Sequence, residues 1–386
     1  MKKVIKSELK RILSMQVIII LFILVFGFSF VSSILKVNSY NIYNASGEVE
    51  ISGWDNIRES QKKSHNMILN QEGLIDIVKR KDKSKYIYNI NAVRIANSVY
   101  LDKKLAELTD KNIKEFYLNR EVLLNKIISS YDKNNQGISA KERKYLTDKI
   151  SKLKTPIEIG YAEGWKNLNN DMIDFVIILI ACICIVILPI YGEDPKVNMR
   201  GLYFSTVNGK TVLLKAKLYV GIQVGVIIYI LGILIFTISR LGVLGFQGGG
   251  LPIQGSVTYF LSLKNITYFQ QFILNSIIGF GAVIMSISFI LLVTSITRSI
   301  LSGGVILTFM VILVTLSPSV SLVNRYFLDF MPYNMTNFNV YYLDNDIYNI
   351  YGNIYDRSTV VVIASFIISL INLLLVRFTF NKQLKI

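Results

Sequence analysis

Long apolar stretches constrain this chain more than any other feature of its sequence. A helix rises about 1.5 Å per residue, so about 20 mostly apolar residues are needed to cross a hydrocarbon core of about 30 Å. Six stretches meet this requirement, and each is nearly free of charge in its middle, where one Lys or Asp would cost about 2.5 to 3.5 kcal/mol. They are residues 12–35, 172–191, 212–238, 272–296, 300–316 and 359–376. The sequence therefore predicts an all-α integral membrane protein with six transmembrane helices.

The composition of the chain restricts its class further. Of its 386 residues, 52% are hydrophobic and 18% are charged, which is too apolar for an ordinary soluble enzyme. The net charge of +16 would suit a nucleic-acid-binding protein, but here many basic residues flank the apolar stretches instead of forming a soluble basic face. We therefore predict membrane lipids as partners, and no nucleic acid.

Few side chains are available for catalysis or metal binding. Cys182 and Cys184, the only cysteines, lie inside an apolar stretch, which predicts buried thiols and excludes a disulfide framework or a zinc site. His65 is the only histidine, which removes paired-histidine metal sites and most Ser-His chemistry. We therefore expect no catalytic residues, no metal, no cofactor bound by the chain itself and no enzyme activity.

Basic residues next to the spans predict the orientation of the chain. The positive-inside rule assigns the more basic set of short flanks to the cytoplasm. That set contains Lys2, Lys3, Lys6, Lys10, Arg11, Lys196, Arg200, Lys210, Lys215, Lys217, Arg298, Arg377, Lys382 and Lys385, whereas the opposite short segments carry mainly Arg240, Lys264, Arg325 and Arg357. The first stretch is longer than the apolar region of a signal peptide, and no cleavage site follows it. We therefore predict a multi-pass protein of a bacterial inner membrane with both termini in the cytoplasm.

This orientation divides the chain into segments. Residues 1–11 form a basic amphipathic cytoplasmic helix, of a kind that can lie in the headgroup region of the inner leaflet. Residues 36–171 form a large extracytoplasmic domain, which is predicted to be mainly helical because apolar residues recur in it at helical spacing. Within it, Ser139 and Glu142 have the spacing of a capping box, and Pro156 ends the helix that this box opens.

The second half of the chain is divided in the same way. A cytoplasmic loop occupies residues 192–211, and residues 212–376 hold four spans with outer segments at 239–271 and 317–358. These outer segments are rich in Tyr and Phe, which favour the headgroup boundary. Residues 377–386 form a cytoplasmic tail.

Part of the cytoplasmic loop imitates a nucleotide-binding motif. Gly209, Lys210 and Thr211 resemble the end of a Walker A loop, but Phe204 stands where that motif requires a glycine. A membrane span follows Thr211, whereas the motif needs a preceding strand and opens a soluble helix. The chain therefore contains no ATPase of its own.

The same loop carries an acidic residue, a glycine, a Leu-x-x-Ser-Thr stretch and two lysines. These residues are Glu193, Gly201, Leu202, Tyr203, Ser205, Thr206, Lys210 and Lys217. The pattern resembles the loop after the second span in ABC transporter permeases of the type-two exporter (ABC-2 type) family, although Val207 stands where proline is common and Lys210 where arginine is usual. Six spans, a large domain between the first two, and the Gly164-Trp165 pair fit the same resemblance.

The resemblance implies a function as well as a fold. In this family the loop forms a short coupling helix that docks on a separate ABC nucleotide-binding subunit, and that subunit binds the ATP. Two permeases pair as a homodimer or a heterodimer and export their substrate by alternating access. The eight residues above would then couple ATP hydrolysis to export of an unidentified peptide, lipid, drug or ion.

Small and polar residues inside the spans provide further candidate positions. Gly221 and Gly225 form a GxxxG motif, which lets two helices approach closely. Gln223 and Asn275 are polar residues within apolar runs and should face the bundle interior. We expect these four residues to contribute to helix packing or to line a translocation path.

Two other functions remain open. The chain could be a membrane sensor that does not transport, with a ligand-binding extracytoplasmic domain, and a neighbouring gene for a kinase instead of an ATPase would favour this alternative. A secondary transporter would require charged or broken helices near the membrane midplane and an internal repeat, and the sequence shows neither clearly.

Overall fold

The computed structural model describes residues 1–43, 49–64, 66–79, 90–100, 109–133, 138–192, 209–305 and 328–382. The helices are α1 (Lys2–Ile12), α2 (Met15–Asn38), α3 (Gly53–Lys63), α4 (Gln71–Lys79), α5 (Ile90–Val99), α6 (Asp110–Lys114), α7 (Phe116–Lys133), α8 (Ala140–Ser151), α9 (Glu163–Ile187), α10 (Pro189–Gly192), α11 (Gly209–Leu244), α12 (Tyr268–Thr297), α13 (Pro332–Met335), α14 (Val340–Leu343) and α15 (Arg357–Lys382). The strands are β1 (Asn41–Tyr43), β2 (Val49–Ser52), β3 (Met67–Ile68), β4 (Glu158–Ile159), β5 (Ile347–Ile350) and β6 (Asn353–Asp356).

Five helices in the described part of the chain are long and apolar enough to cross a membrane. They are α2, α9 with its continuation α10, α11, α12 and α15, which correspond to the first, second, third, fourth and sixth predicted spans. The fifth predicted span, residues 300–316, lies mostly outside the described residues, although residues 300–305 are helical. The chain thus has the mainly helical architecture of a multi-pass membrane protein.

All five of these helices extend beyond the apolar stretches that predicted them, and the second and third show this most clearly. The second begins at Glu163 instead of residue 172, and the third continues to Leu244 instead of residue 238. The additional turns of α9 carry the buried residues Asn167 and Asn169. Their side-chain amides donate hydrogen bonds to backbone carbonyls, and such internal pairing removes the cost of burying a polar group.

The helix α1 and the C-terminal part of α15 lie at one end of the helix bundle, which we call the termini end. The ring of Tyr191 at the end of α10 lies 6.1 Å from the ring of Phe380 near the end of α15. Gly192 packs against the backbone of Ile300, whose nitrogen would lie 3.0 Å from a Cβ atom at position 192. Arg11, at the end of α1, hydrogen-bonds to Ile190 in the same region. The ends of α1, α10, α12 and α15 therefore meet at this end, and α11 joins them through Lys217.

Small and polar side chains form a seam between α12 and α15. The Asn372 amide donates to Ser288 Oγ at 3.2 Å, and the hydroxyls of Ser295 and Thr379 are 3.1 Å apart. Gly281 leaves no room for a side chain, because an added Cβ would lie 2.5 Å from the hydroxyl of Ser365. These contacts hold the two helices close together along several turns.

Residues 39–162 form an inserted domain at the other end of the bundle. In its described part the domain contains α3 to α8 and two short antiparallel pairs, β1 with β2 and β3 with β4. The predicted capping box is confirmed: Ser139 Oγ accepts from the Glu142 amide, and Glu142 Oε2 accepts from the Ser139 amide at 2.8 Å. The helix α8 that this box opens ends before Pro156. The domain is mainly helical, as the spacing of its apolar residues predicts.

The inserted domain is attached to the segment between α11 and α12. Arg120 on α7 is 2% exposed and donates from Nη2 and Nε to the Phe260 carbonyl, at 2.7 and 3.1 Å. The Phe260 side chain in turn belongs to the hydrophobic core of the domain. At the boundary with the bundle, the Tyr161 hydroxyl donates to the Leu244 carbonyl at 2.7 Å. These contacts fix the domain to the bundle.

Candidate functional site

The helix α1 lies against the termini end of the bundle. Its charged side chains Lys2, Lys3, Lys6 and Lys10 are exposed, whereas Val4, Ile5, Leu9 and Ile12 pack against the bundle core. The apolar side of α1 therefore faces other helices of the protein, and its lysines face outward. Glu8 lies on the inner side and forms an ion pair with Arg11 at 2.6 Å.

Two cations from different helices converge on one backbone carbonyl. The carbonyl oxygen of Ile190 accepts a hydrogen bond from Lys217 Nζ on α11 at 2.7 Å and another from Arg11 Nη2 on α1 at 3.1 Å. Lys217 is 1% exposed, and its ammonium lies 5.1 Å from the centre of the Tyr191 ring. We call Ile190, Arg11 and Lys217 the carbonyl clamp.

The clamp joins three helices at one carbonyl. Lys217 belongs to α11 and Arg11 lies at the end of α1, and both donate to the Ile190 carbonyl of α10. Hydrogen bonds from charged donors are stronger than those from neutral donors. The two cations therefore hold α1, α10 and α11 together at this point.

The clamp fixes the point from which the predicted coupling loop leaves the bundle. Gly192 packs against Ile300, and Gly221 packs against Ile190, whose Cδ1 atom would lie 3.0 Å from a Cβ at position 221. The loop returns to the bundle at Gly209, the first residue of α11. A force on this loop would therefore act on α1, α10 and α11 together.

Most of the predicted coupling residues lie outside the described part of the chain. These are Glu193, Gly201, Leu202, Tyr203, Ser205 and Thr206. Lys210 lies in the first turn of α11, and the buried Lys217 lies in its third turn, within the carbonyl clamp. The structure thus brings one of the eight residues, Lys217, to the place where the loop is attached.

The glycines of the GxxxG motif lie where α11 crosses α9 and α12. A Cβ atom at Gly225 would lie 2.3 Å from Ile287 Cδ1 and 3.2 Å from Ile183 Cγ2. Gly221 likewise faces Leu291. Gln223 is half-buried on the same helix.

Asn275 belongs to a buried hydrogen-bonded chain near the inserted domain. Its Oδ1 accepts from the Tyr342 hydroxyl at 2.6 Å, and its Nδ2 donates to Asn169 Oδ1 at 3.2 Å. Asn169 Nδ2 in turn donates to the carbonyls of Trp165 and Tyr268. Burial raises the pKa of Tyr342, so its hydroxyl remains a proton donor at neutral pH. This series of hydrogen bonds links α9, α12 and α14.

Three other charged residues of the bundle form a cluster that the sequence did not predict. Arg240 is 1% exposed in the last turns of α11 and forms an ion pair with Asp171 on α9 at 3.0 Å. It also donates to the carbonyl and the hydroxyl of Ser32 on α2, at 3.1 and 3.2 Å. Lys36 completes the cluster with a 3.2 Å ion pair to Asp171. Charges at the ends of apolar stretches are the signal that could have identified this cluster.

The carbonyl clamp predicts different effects for two lysines of α11. Lys217→Met should destabilise the chain by about 1.5 to 3 kcal/mol, because it removes a charged hydrogen-bond donor from a buried carbonyl. Lys215, two residues earlier on the same helix, is exposed, and Lys215→Met should change stability by less than about 0.5 kcal/mol. Unfolding in mixed detergent micelles, followed by circular dichroism, measures both. Equal effects of the two substitutions would show that the clamp contributes nothing.

Comparison with known protein families, with curated protein sequences and with solved structures finds no match to this chain.

Proposed function

We propose that this chain is the membrane-spanning permease subunit of an ATP-binding cassette exporter of the type-two class. A separate nucleotide-binding subunit would bind and hydrolyse ATP, and the permease would export an unidentified peptide, lipid, drug or ion across a bacterial inner membrane. The observation that carries the proposal is the carbonyl clamp, which attaches the loop with the permease-like pattern to three helices at once.

The clamp supports this function for a mechanical reason. Closure of two soluble ATP-binding domains reaches membrane helices only through an element that both parts hold rigidly, because a flexible tether would absorb the motion. Residues 193–208 connect α10 to α11, and the clamp ties the end of α10 to α11 through Lys217 and to α1 through Arg11. A partner that moved the loop would therefore move α1, α10 and α11 together.

The distribution of basic residues supports the orientation that the proposal needs. The termini end carries the lysines of α1 together with Arg11, Lys217 and Arg298. By the positive-inside rule this end faces the cytoplasm, where an ATPase would be available. The inserted domain would then lie outside the cell membrane, and both chain termini inside.

The proposal also assigns a partner to the bundle. A second permease, identical or similar, would pack beside the first, and the cargo would pass between the two bundles as they alternate between inward-open and outward-open states. Two ATPase subunits would bind beneath the pair. Gly221, Gln223, Gly225 and Asn275 would contribute to helix packing or to the translocation path.

The proposed function is tested by measuring two properties separately: binding of the ATPase subunit to this chain, and transport driven by ATP hydrolysis. The tagged full-length chain is purified from native membranes in mild detergent, and co-purified subunits are assayed for ATP hydrolysis and, in vesicles, for transport. Leu202→Glu should reduce recovery of the ATPase subunit by at least about tenfold, since a charge in the docking contact costs more than about 1.4 kcal/mol. Lys217→Met should retain the subunit but reduce ATP-dependent transport.

The exposed Lys215 again supplies the control, and Lys215→Met should leave association and transport unchanged. Two results would contradict the proposal. One is purification of an active transporter or receptor that contains no nucleotide-binding chain. The other is undiminished association and transport in the Leu202→Glu variant.

A further inference from the structure

Four lysines form one exposed side of α1. Lys2, Lys6 and Lys10 recur at every fourth residue and Lys3 precedes Lys6 by three, so the four side chains are neighbours on the helix surface. All four are exposed, and none of them forms an ion pair with a described residue. We call these four residues the lysine face.

The lysine face is unfavourable for α1 taken by itself. Like charges four residues apart destabilise an isolated helix, and basic residues in the first turn oppose the helix dipole. The first turn of α1 holds Lys2 and Lys3 and no acidic residue. Glu8, the only acidic residue of α1, forms its ion pair with Arg11 on the inner side of the helix. An anionic partner outside the helix would relieve these repulsions.

The apolar side of α1 is covered by protein. Val4, Ile5, Leu9 and Ile12 pack against the bundle core. An amphipathic helix that binds a membrane on its own buries such a side among the acyl chains. Because this side already contacts other helices, α1 has only its charges available for contact with a membrane. The lysine face is therefore a charged surface that the rest of the protein holds in place.

The lysine face lies next to the start of a membrane span. Leu13 and Ser14 alone separate α1 from α2, and Ser14 caps α2 by accepting a hydrogen bond from the Val17 amide at 3.4 Å. Lys10 is five residues before Met15, where the candidate span begins, and the large apolar side chains of α2 are mostly exposed. Lipid tails that cover α2 would place their headgroups at the level of α1.

We propose that the lysine face binds the anionic headgroups of phospholipids such as phosphatidylglycerol. Each basic side chain close to an anionic lipid surface adds to the attraction, and this attraction acts over about one Debye length. A headgroup with no net charge would not relieve the repulsion between the lysines. Lipid is favoured over an acidic surface of a partner protein because the adjacent span places headgroups beside these residues.

Bound lipid would also act on the carbonyl clamp. Arg11 lies on the same helix as the lysine face and donates to the Ile190 carbonyl at 3.1 Å. Anionic lipid that holds α1 in place therefore keeps Arg11 in the clamp. The inference does not depend on the proposed exporter function, because this chain alone in a bilayer would bind the lipid.

The test measures which lipids the protein selects. The purified full-length chain, without an ATPase subunit, is placed in nanodiscs of mixed phosphatidylcholine and phosphatidylglycerol. Lipids that stay bound after gentle release are counted by native mass spectrometry. Phosphatidylglycerol should be enriched among them relative to the bilayer, and the enrichment should fall as the ionic strength rises.

Substitutions connect the selection to the lysine face. The combined variant Lys2→Gln, Lys3→Gln, Lys6→Gln and Lys10→Gln should reduce the enrichment at least about fivefold, and replacement of the same four residues by Arg should retain it. Basic residues before a span also set its orientation. The pair Lys6→Gln and Lys10→Gln therefore serves as a second variant, since it leaves Lys2 and Lys3 in place, and it should reduce the enrichment at least about twofold.

The matched control removes the same charge from the inserted domain. It combines Lys→Gln changes at four exposed lysines and should leave the enrichment unchanged; these are Lys111, Lys114, Lys126 and Lys144. In phosphatidylcholine alone, the wild type and the four-lysine variant of α1 should melt at the same temperature, because the lysine face forms no ion pairs within the described chain. Added phosphatidylglycerol should raise the melting temperature of the wild type only.

Three results would overturn the proposal. The first is equal enrichment of phosphatidylglycerol in the wild type and in both Gln variants of α1. The second is an equal loss of enrichment in the control variant. The third is loss of a co-purified protein from the Gln variants with unchanged lipid selection, which would assign the lysine face to a protein partner.

Discussion

Arg240→Leu should destabilise the chain by about 3 kcal/mol, because it removes a buried guanidinium together with its ion pair to Asp171 and its hydrogen bonds to Ser32. Arg240 is almost fully buried, and its guanidinium contacts Asp171 at 3.0 Å and Ser32 at 3.1 Å. It also lies 5.3 Å from the centre of the Phe236 ring. Leucine would leave Asp171 without its nearest cation and would remove the hydrogen bonds that join α11 to α2.

Two matched variants make this experiment decisive. Lys36 contacts the same carboxylate but is 35% exposed, so Lys36→Met should cost less than about 1 kcal/mol. The double variant Arg240→Leu with Asp171→Leu should regain most of the lost stability, because apolar residues often replace a buried ion pair at little cost. Unfolding in mixed micelles can be followed by the fluorescence of Trp165, with the exposed Trp54 replaced by Phe. A loss below about 1 kcal/mol in Arg240→Leu would contradict the prediction.

Gly164→Ala should destabilise the chain by about 3 kcal/mol, at the upper end of the usual cost of overpacking. An added Cβ would lie 2.0 Å from the carbonyl oxygen of Gly245, and a backbone atom moves less readily than the end of a side chain. Gly245 cannot easily shift its conformation either, since its φ of +103° already requires glycine. The substitution would separate α9 from the turn that follows α11.

The same contact provides a local spectroscopic readout. Trp165 donates from Nε1 to the Phe246 carbonyl at 2.9 Å and packs edge-on against Phe269 and Phe272. Gly164→Ala should therefore shift the Trp165 emission to longer wavelength. Gly242→Ala is the control, because no atom lies within 4 Å of an added Cβ there, and a helical alanine should be neutral or more stable by about 0.5 kcal/mol. Unchanged emission in the Gly164 variant would contradict the prediction.

The membrane helices could be predicted from the sequence because hydropathy depends on composition over about 20 residues. The residues at which these helices begin and end could not be predicted in this way. The α9 helix begins at Glu163, and its buried Asn167 and Asn169 donate to the Tyr40 hydroxyl and the Tyr268 carbonyl, which are distant in the sequence. Ser139 and Glu142, in contrast, form their capping box with each other, so four residues of sequence were sufficient to predict it. The hairpin β5–β6 had no such local signature.

The contacts of the candidate site likewise could not be predicted from local sequence. Lys217 was identified by its place in a family-like pattern, but its acceptor is the backbone carbonyl of Ile190, and a carbonyl belongs to every residue type. Arg11 appeared in the sequence only as one of several basic residues that set orientation.

The hydrogen-bonded contact between α12 and α15 determines how the final long helix can enter the bundle. Lipid tails are as apolar as leucine, so burial of apolar side chains alone would not select one axial register for two helices in a bilayer. A slide of one helical turn, about 5.4 Å, would separate Asn372 from Ser288 and Ser295 from Thr379 at the same time. Through these hydrogen bonds α12 therefore sets the axial position that α15 takes when the two helices associate in the bilayer.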